Sequence, residues 1–332
     1  MSPKKLRFGF LSTAGIGRKM IRGMRTASNC EVVAVASRSL EQARAWAHQE
    51  DVPLAFGSYE EMLASEAIDA VYVAVPNALH KEWTIRAAAH GKHILCEKPI
   101  ALNAAEAEEM ICAAEKNRVY LMEAFMYRFH PQYRQVEDLL AGGKVGSLKV
   151  VRATLGFYLD DEKRPNDIRW VKTLGGGALY DVGCYCVNAL RWLIAREPIA
   201  VMANALWSPS HVDETFTGLL EFPGGVMGLL DCSFRMENRQ RLEISGTQGY
   251  LSLEQPFSMD EKETSIHYQQ TDNRQVFSAP GANEYSQMAA HFARAVLSGQ
   301  PTAHTPYDSL NQMRVIDALY QSARTGQRVI LQ

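Results

Sequence analysis

The chain has 332 residues, 47% hydrophobic and 22% charged, with a formal net charge of −2. That length exceeds one ordinary core and predicts two domains. The composition excludes long disorder, and the near-neutral charge gives no electrostatic basis for binding nucleic acid or a membrane surface. No apolar run approaches the roughly 20 residues that span a bilayer. The six cysteines (30, 96, 112, 184, 186, 232) are scattered, and Cys184-x-Cys186 lacks a second pair at zinc-site spacing. They read as reduced core thiols with no metal site, and the expected compartment is the cytoplasm. The start Met1-Ser2-Pro3-Lys4-Lys5 runs directly into a short apolar stretch, too short for a signal-peptide core.

Over residues 1–123 apolar strand runs alternate with amphipathic helices, the pattern of βαβ units on a parallel sheet. Strands are expected at Leu6–Leu11, Glu31–Ser37, Leu54–Phe56, Ala70–Val75, Lys92–Cys96 and Val119–Met122. Ser39, Ser58 and Asn103 each stand three residues before a Gln or Glu, the spacing of an N-cap with a side chain reaching back. Six strands with helices between them predict a doubly wound Rossmann domain. Beyond Glu123 the pattern changes. A helix is expected at Pro131–Leu140, then strands at Leu148–Gly156, Ala200–Trp207, Thr215–Phe222, Val226–Phe234, Arg241–Gly246 and Tyr250–Leu253, with a hairpin at Gly224-Gly225. One long helix, about Ala178 to Ala195, interrupts them, and helical periodicity returns at Tyr285–Ser298 and Ser309–Thr325. Residues 124–332 therefore form a second, α+β domain with an antiparallel or mixed sheet.

The first strand leads into Ser12-Thr13-Ala14-Gly15-Ile16-Gly17 and then a helix. A turn of small residues at a strand-to-helix junction lets backbone amides approach a pyrophosphate. Laid over G-x-G-x-x-G, Ser12 and Ala14 occupy the first two glycine positions and Gly17 the third, so the turn alone also fits another α/β fold. The second strand ends Ser37-Arg38-Ser39, with no acid before Glu41. A carboxylate there would bind the ribose hydroxyls of NAD, whereas a guanidinium pairs the 2′-phosphate of NADP. NADP is expected, with NAD possible; alternatively Arg38 is a solvated residue and Ser39 only a helix cap.

Glu97-Lys98-Pro99 follows the fifth strand, at the sheet edge where open α/β folds place ligands. Gly175-Gly176-Gly177 suits close approach to a ligand, and Asp181 and Tyr185, four apart, would share one helix face. His93 and His130 read as structural.

These motifs, in this order, resemble the glucose–fructose oxidoreductase/inositol dehydrogenase (Gfo/Idh/MocA) family. The carriers are the small-residue turn, Ala74-Val75-Pro76-Asn77-Ala78-Leu79-His80, Glu97-Lys98-Pro99 and the glycine run with Asp181. Glu123 to Pro131, Asp167-Ile168-Arg169-Trp170 and Asp181 to Tyr185 resemble the subgroup of NADP-dependent D-xylose 1-dehydrogenases and dimeric dihydrodiol dehydrogenases. The resemblance implies a large open sheet in the second domain, a homodimer or tetramer built on it, and hydride chemistry on a sugar or diol. It implies that Lys98 is the catalytic lysine, that Pro76, Asn77, His80 and Glu97 neighbour the nicotinamide, and that Arg169 and Trp170 line the cofactor and substrate side. Phe125, Tyr127 and Arg128 join Lys98, Trp170, Asp181 and Tyr185 in the implied substrate site. Where many inositol dehydrogenase-like members carry His four residues after the Asp, this chain has Tyr185, so the acid–base group is expected to be the phenol. A free phenol titrates near 10 and needs a neighbouring ammonium such as Lys98 to act as a base at neutral pH. Asp181 would orient Lys98 or bond a substrate hydroxyl, or else make a structural hydrogen bond. The expected activity is oxidation of an aldopyranose at its anomeric carbon, or of a trans-dihydrodiol. The alternatives are a reductase of a keto- or anhydro-sugar, and a sugar-sensing regulator or NAD-dependent glycosidase on the same fold.

Overall fold

A computed structural model describes residues 4–164, 166–259 and 261–331. Residues 1–3 and 332, inside the two expected domain ranges, lie outside the described residues. The first elements are β1 (Leu6–Leu11), α1 (Gly15–Thr26), β2 (Cys30–Ala36), α2 (Leu40–Gln49), β3 (Leu54–Phe56) and α3 (Tyr59–Ala64). There follow β4 (Ala70–Val73), α4 (His80–Ala89), β5 (His93–Cys96), α5 (Ala104–Lys116) and β6 (Leu121–Glu123). All six strands pair in parallel in the order β3-β2-β1-β4-β5-β6. The expected caps form: Ser39, Ser58 and Asn103 accept from the backbone N–H of Gln42, Glu61 and Glu106. Glu106 also reaches back to Leu102 N at 3.1 Å. Buried on both faces, the strands read as near-continuous apolar runs, and Phe10 packs edge-on against Tyr72 with ring centroids 5.3 Å apart.

Then come α6 (Pro131–Ala141), β7 (Leu148–Tyr158), α7 (Cys184–Ile194), β8 (Ala200–Trp207), β9 (Asp213–Phe222) and β10 (Val226–Ser233). They are followed by β11 (Arg235–Gly246), β12 (Tyr250–Leu253), β13 (Thr264–Gln270) and β14 (Asn273–Ala279). The chain closes with α8 (Glu284–Ser298), α9 (Pro306–Thr325) and β15 (Val329–Ile330). The second sheet has nine strands in the order β14-β13-β12-β11-β7-β10-β9-β8-β15, and only its β7–β10 pair is parallel. The fold is thus the expected parallel Rossmann sheet with helices, plus a large, mostly antiparallel sheet. β13, β14 and β15 are additional to the strands read from sequence. One face of the large sheet buries Val151, Leu230, Leu242 and Ile244, and α7 lies against β7 and β10. At roughly 2 kcal/mol for each fully buried aliphatic side chain, that helix–sheet seam fixes where α7 runs.

The chain divides into two compact units. One is Met1–Phe129 with Asn283–Leu310, and the other His130–Ala282 with Asn311–Gln332. Within the first, α8 crosses α1 so closely that a Cβ on Gly23 would lie 2.7 Å from Ser286 N. Among the described residues no helix is long and apolar enough to cross a membrane. All six cysteines are free. Five are buried as expected, but Cys112 is exposed, because it falls on the outer face of α5 between the buried Ile111 and Ala114.

Candidate functional site

In the first unit, strand register aligns the carboxyl ends on which the site residues sit. Leu11 pairs with Ala36 and Val73, Val73 with Cys96, and Cys96 with Glu123. The turn Ser12–Gly17 leaves the end of β1 at the switch point between β2 and β4, where doubly wound sheets bind ligands. Ser12 takes φ +95°, a conformation that favours glycine. Its hydroxyl offsets that cost by donating to Ala74 O at 2.8 Å and accepting from Ala14 N at 3.2 Å. Ser12 can therefore stand where the fingerprint has glycine. No side chain caps α1, so its amino end is open to an anion. A Cβ on Gly17 would lie 3.3 Å from the Trp46 ring, the close helix packing that the third glycine of the fingerprint permits. Thr13, Ala14 and Ile16 are half-buried around this turn, and Gly15 is exposed.

At the end of β2, Ser37 is buried and its hydroxyl donates to Gln42 Oε1 at 2.8 Å. Arg38 is exposed, and among the described residues no carboxylate pairs with it. An open amino end of α1, backbone free to approach it and an uncommitted guanidinium at the strand end fit a dinucleotide carrying a 2′-phosphate.

Lys98 stands two residues past β5, and its peptide bond to Pro99 is cis. Both imidazole nitrogens of the fully buried His80 lie 2.9 Å from backbone carbonyls, Nδ1 from Pro99 O and Nε2 from Val75 O. Burial pushes the His80 imidazole down, against the pull of those carbonyls. His80 thus ties the Lys98–Pro99 turn to the Pro76-Asn77 segment from below, rather than reaching outward. Burial also pushes the Glu97 carboxyl up, against the nearby Lys98 ammonium, and Tyr72 Oη donates to Glu97 Oε1. Glu123, fully buried at the end of β6, accepts from Ile100 N at 2.9 Å and lies 3.3 Å from His304 Nε2. His304 Nδ1 is 2.7 Å from Asp308 Oδ2, and Arg128 Nη1 is 2.8 Å from the same oxygen. A segment distant in sequence therefore buttresses the Lys98 turn, which sequence reasoning missed. Phe125 and Tyr127 are fully buried and Arg128 is committed to Asp308, so the structure gives these three packing and anchoring contacts.

In the second unit, Asp167 caps the short turn that carries Arg169 and Trp170. Arg169 Nε donates to Asp181 Oδ2 at 2.6 Å, and its Nη1 lies 3.2 Å from Asp167 Oδ1. Although burial opposes its charge, the two carboxylates hold the Arg169 guanidinium above its ordinary pKa. Trp170 is buried against Phe234, with Arg235 over its ring.

The glycine run differs from expectation. A Cβ on Gly176 would lie 2.4 Å from Arg169 O, and one on Gly177, at φ +124°, 2.2 Å from Asp213 Oδ1. These glycines admit the chain's own backbone and the Asp213 carboxylate, not a ligand. The expected continuous helix is also replaced at its start by a wide π turn, Leu179–Gly183, before α7 begins at Cys184. At the start of this turn Leu179 N, which no helix would pair internally, donates to Asp213 Oδ2 at 2.6 Å, and Gly183 lets the turn approach Cys232. Asp181 lies in the turn and Tyr185 in the first turn of α7, so the four-residue α-helical spacing does not by itself align them. Tyr185 is 9% exposed, with its ring 5.8 Å from that of Phe257. Asp213 has no local signature in the sequence. Burial pushes its carboxyl up to about 6. His93 and His130 are structural as read: each Nδ1 accepts a backbone N–H, from Tyr120 and Gln132.

Residues 6–125 match the oxidoreductase family model with an NAD-binding Rossmann fold, and residues 133–252 match the GFO/IDH/MocA C-terminal domain. The chain is 37% identical over 325 residues to D-xylose 1-dehydrogenase (NADP(+)) 2 of Haloferax volcanii, covering 98% of this chain and 99% of that protein. It is 33% identical over 326 residues to trans-1,2-dihydrobenzene-1,2-diol dehydrogenase of Xenopus laevis, covering 96% of each. Among solved structures, a 3-ketoreductase from Actinomadura kijaniata in complex with NADP and TDP-benzene superposes with a TM-score of 0.90 at 30% identity, covering 96% of this chain and 98% of that one. Its two matched domains, its parallel six-stranded sheet and these full-length relatives show that the chain belongs to the GFO/IDH/MocA family of oxidoreductases.

Proposed function

We propose that this oxidoreductase uses NADP to oxidise a cyclic sugar at its anomeric carbon to a lactone, or a trans-dihydrodiol. The observation that carries the cofactor choice is the exposed, uncommitted Arg38 at the end of β2, where an NAD enzyme would place a carboxylate. The full-length similarity to the Haloferax and Xenopus enzymes supports the substrate class. Residues 1–123 are assigned to the dinucleotide, and residues 124–332 to substrate and self-association.

A bound nicotinamide supplies the hydride acceptor. Ser12–Gly17, with the open end of α1, hold the pyrophosphate, and Arg38 the 2′-phosphate, while Ser37 fixes the strand end through Gln42. Pro76, Asn77 and Glu97 flank the nicotinamide half, and His80 holds their loop. Tyr185 takes the proton of the reacting hydroxyl, while the Lys98 ammonium stabilises negative charge on that oxygen. Asp181 orients Arg169, and Trp170 lines the substrate side. A second reading, reduction of a keto-sugar, is favoured by the likeness to the Actinomadura ketoreductase. Exposed Met202, Leu206 and Trp207 on the nine-stranded sheet suit burial against a second copy of the chain in a dimer or tetramer. A screen of NADP+ reduction across aldoses, deoxyaldoses, inositols and dihydrodiols tests the reading. Turnover of an aldose or dihydrodiol supports oxidation, whereas NADPH consumption by keto-sugars alone supports the reverse reaction.

A further inference from the structure

The carboxylate of Asp213 is 1% exposed, and each of its oxygens accepts from a donor of another element. Leu179 N donates to Oδ2 at 2.6 Å, and Tyr320 Oη donates to Oδ1 at 2.8 Å. Burying a carboxylate against two neutral donors is a poor route to stability, because desolvation offsets most of the hydrogen-bond gain. Its geometric consequence is specific. Leu179 N is the first donor of the wide turn, and six residues further on stands Tyr185. Gly177, just before the turn, leaves room for Asp213 Oδ1 and no room for a Cβ. Tyr320 is itself fixed, its ring 5.0 Å from that of Tyr180 within the same turn and 5.7 Å from Phe216. At the far end of the turn, Gln312 Nε2 donates to Cys184 O at 2.7 Å.

We propose that Asp213, with Tyr320, is the positioning residue of the acid–base helix: by clamping Leu179 N it sets the wide turn, and through it where Tyr185 presents its phenol. The proposal rests on the assignment of Tyr185 as the proton acceptor. A shift of an ångström at such a group is enough to lower a rate by an order of magnitude or more.

Asp213→Asn keeps the side-chain shape, and Tyr320→Phe keeps the charge while removing one hydrogen bond. Each is measured for kcat and KM on the best substrate of the screen above, alone and combined with Tyr185→Phe. NADPH fluorescence titration and thermal melting run alongside. Each single change is expected to lower kcat about tenfold or more, with KM and NADPH affinity within about threefold, and to add little in the Tyr185→Phe background. A purely structural role would instead lower the melting temperature and act additively with Tyr185→Phe, and that result overturns the proposal. Should Asp213→Asn not fold, Tyr320→Phe decides by the same cycle. Near-normal kcat in Tyr185→Phe alone removes the acid–base reading and this inference with it. A slow Tyr185→Phe beside a normal Asp213→Asn and Tyr320→Phe removes this inference alone.

Discussion

Arg169 Nε donates to Asp181 Oδ2 at 2.6 Å, joining a residue of the short Asp167 turn to one in the wide turn before α7. The pair is part-buried, with side-chain exposures of 36% and 20%, so it is worth more than a surface ion pair and less than a desolvated one. Asp181 thus has a fixed partner within its own unit. Substituting either residue by Ala should slow turnover, and the double variant should be no slower than the worse single one. A double-mutant cycle should give a coupling of about 1 kcal/mol; independent effects would separate the two residues functionally.

Cofactor preference should depend on Arg38. Losing a charge-assisted contact to phosphate costs on the order of 1.5–3 kcal/mol. Arg38→Ala should therefore reduce the NADP/NAD ratio of kcat/KM by about tenfold or more. An unchanged ratio would contradict the assignment.

Lys98 is invoked where the reacting oxygen changes protonation, not where the dinucleotide is held. Lys98→Met should lower kcat by roughly 10² or more while NADPH affinity, read by fluorescence, stays within a few-fold. Retention of most of kcat would return Lys98 to a structural role.

Asp213 gives a stability signature of defined sign. Burial pushes its folded carboxyl up from the ordinary 3.8 to about 6, with Leu179 N, Tyr320, its own backbone N–H and Arg324 pulling the other way. Tyr320, Cys232 and Arg324 are the ionisable groups that act on or through it. A raised carboxyl binds its proton more tightly in the native state. Its contribution is therefore fully present below about pH 4 and is lost as pH rises through about 6. The unfolding free energy of wild type minus that of Asp213→Asn should fall by about 2 kcal/mol between pH 4 and 7 in urea titrations. A flat difference would mean that the carboxyl titrates normally.

Much of the first unit was legible because its signals are local. A cap needs only Ser58 and the backbone three residues on, and a buried parallel strand such as Ala70–Val73 is apolar throughout. β13 and β14 were missed although Thr264, Ile266 and Tyr268 alternate inward, because each strand holds few apolar residues and in β14 the apolar Val276 faces outward. The buttress of Glu123 by His304 spans about 180 positions, and no local pattern marks it. The same holds for Asp213 and Leu179, 34 residues apart. The identities of Lys98, Asp181 and Tyr185 could be read in order along the chain. The π turn that carries Asp181 and leads into Tyr185 could not, because the acceptor of its first N–H, Asp213, comes from another strand.

Tyr185→Phe tests the central claim most directly, since it removes the ionisable oxygen with little change of shape. Steady-state oxidation of the best sugar or diol is followed from pH 6 to 10 in wild type and variant, with NADPH titration and melting as controls. With the phenol as base, wild-type kcat rises with pH through an apparent pKa that belongs to the reacting groups together and not to Tyr185 alone. The variant should lose roughly 10²–10⁴ in kcat and that pH-dependent rise, while folding and NADPH affinity are unchanged. A variant that keeps near-normal kcat and the wild-type pH profile would contradict the account.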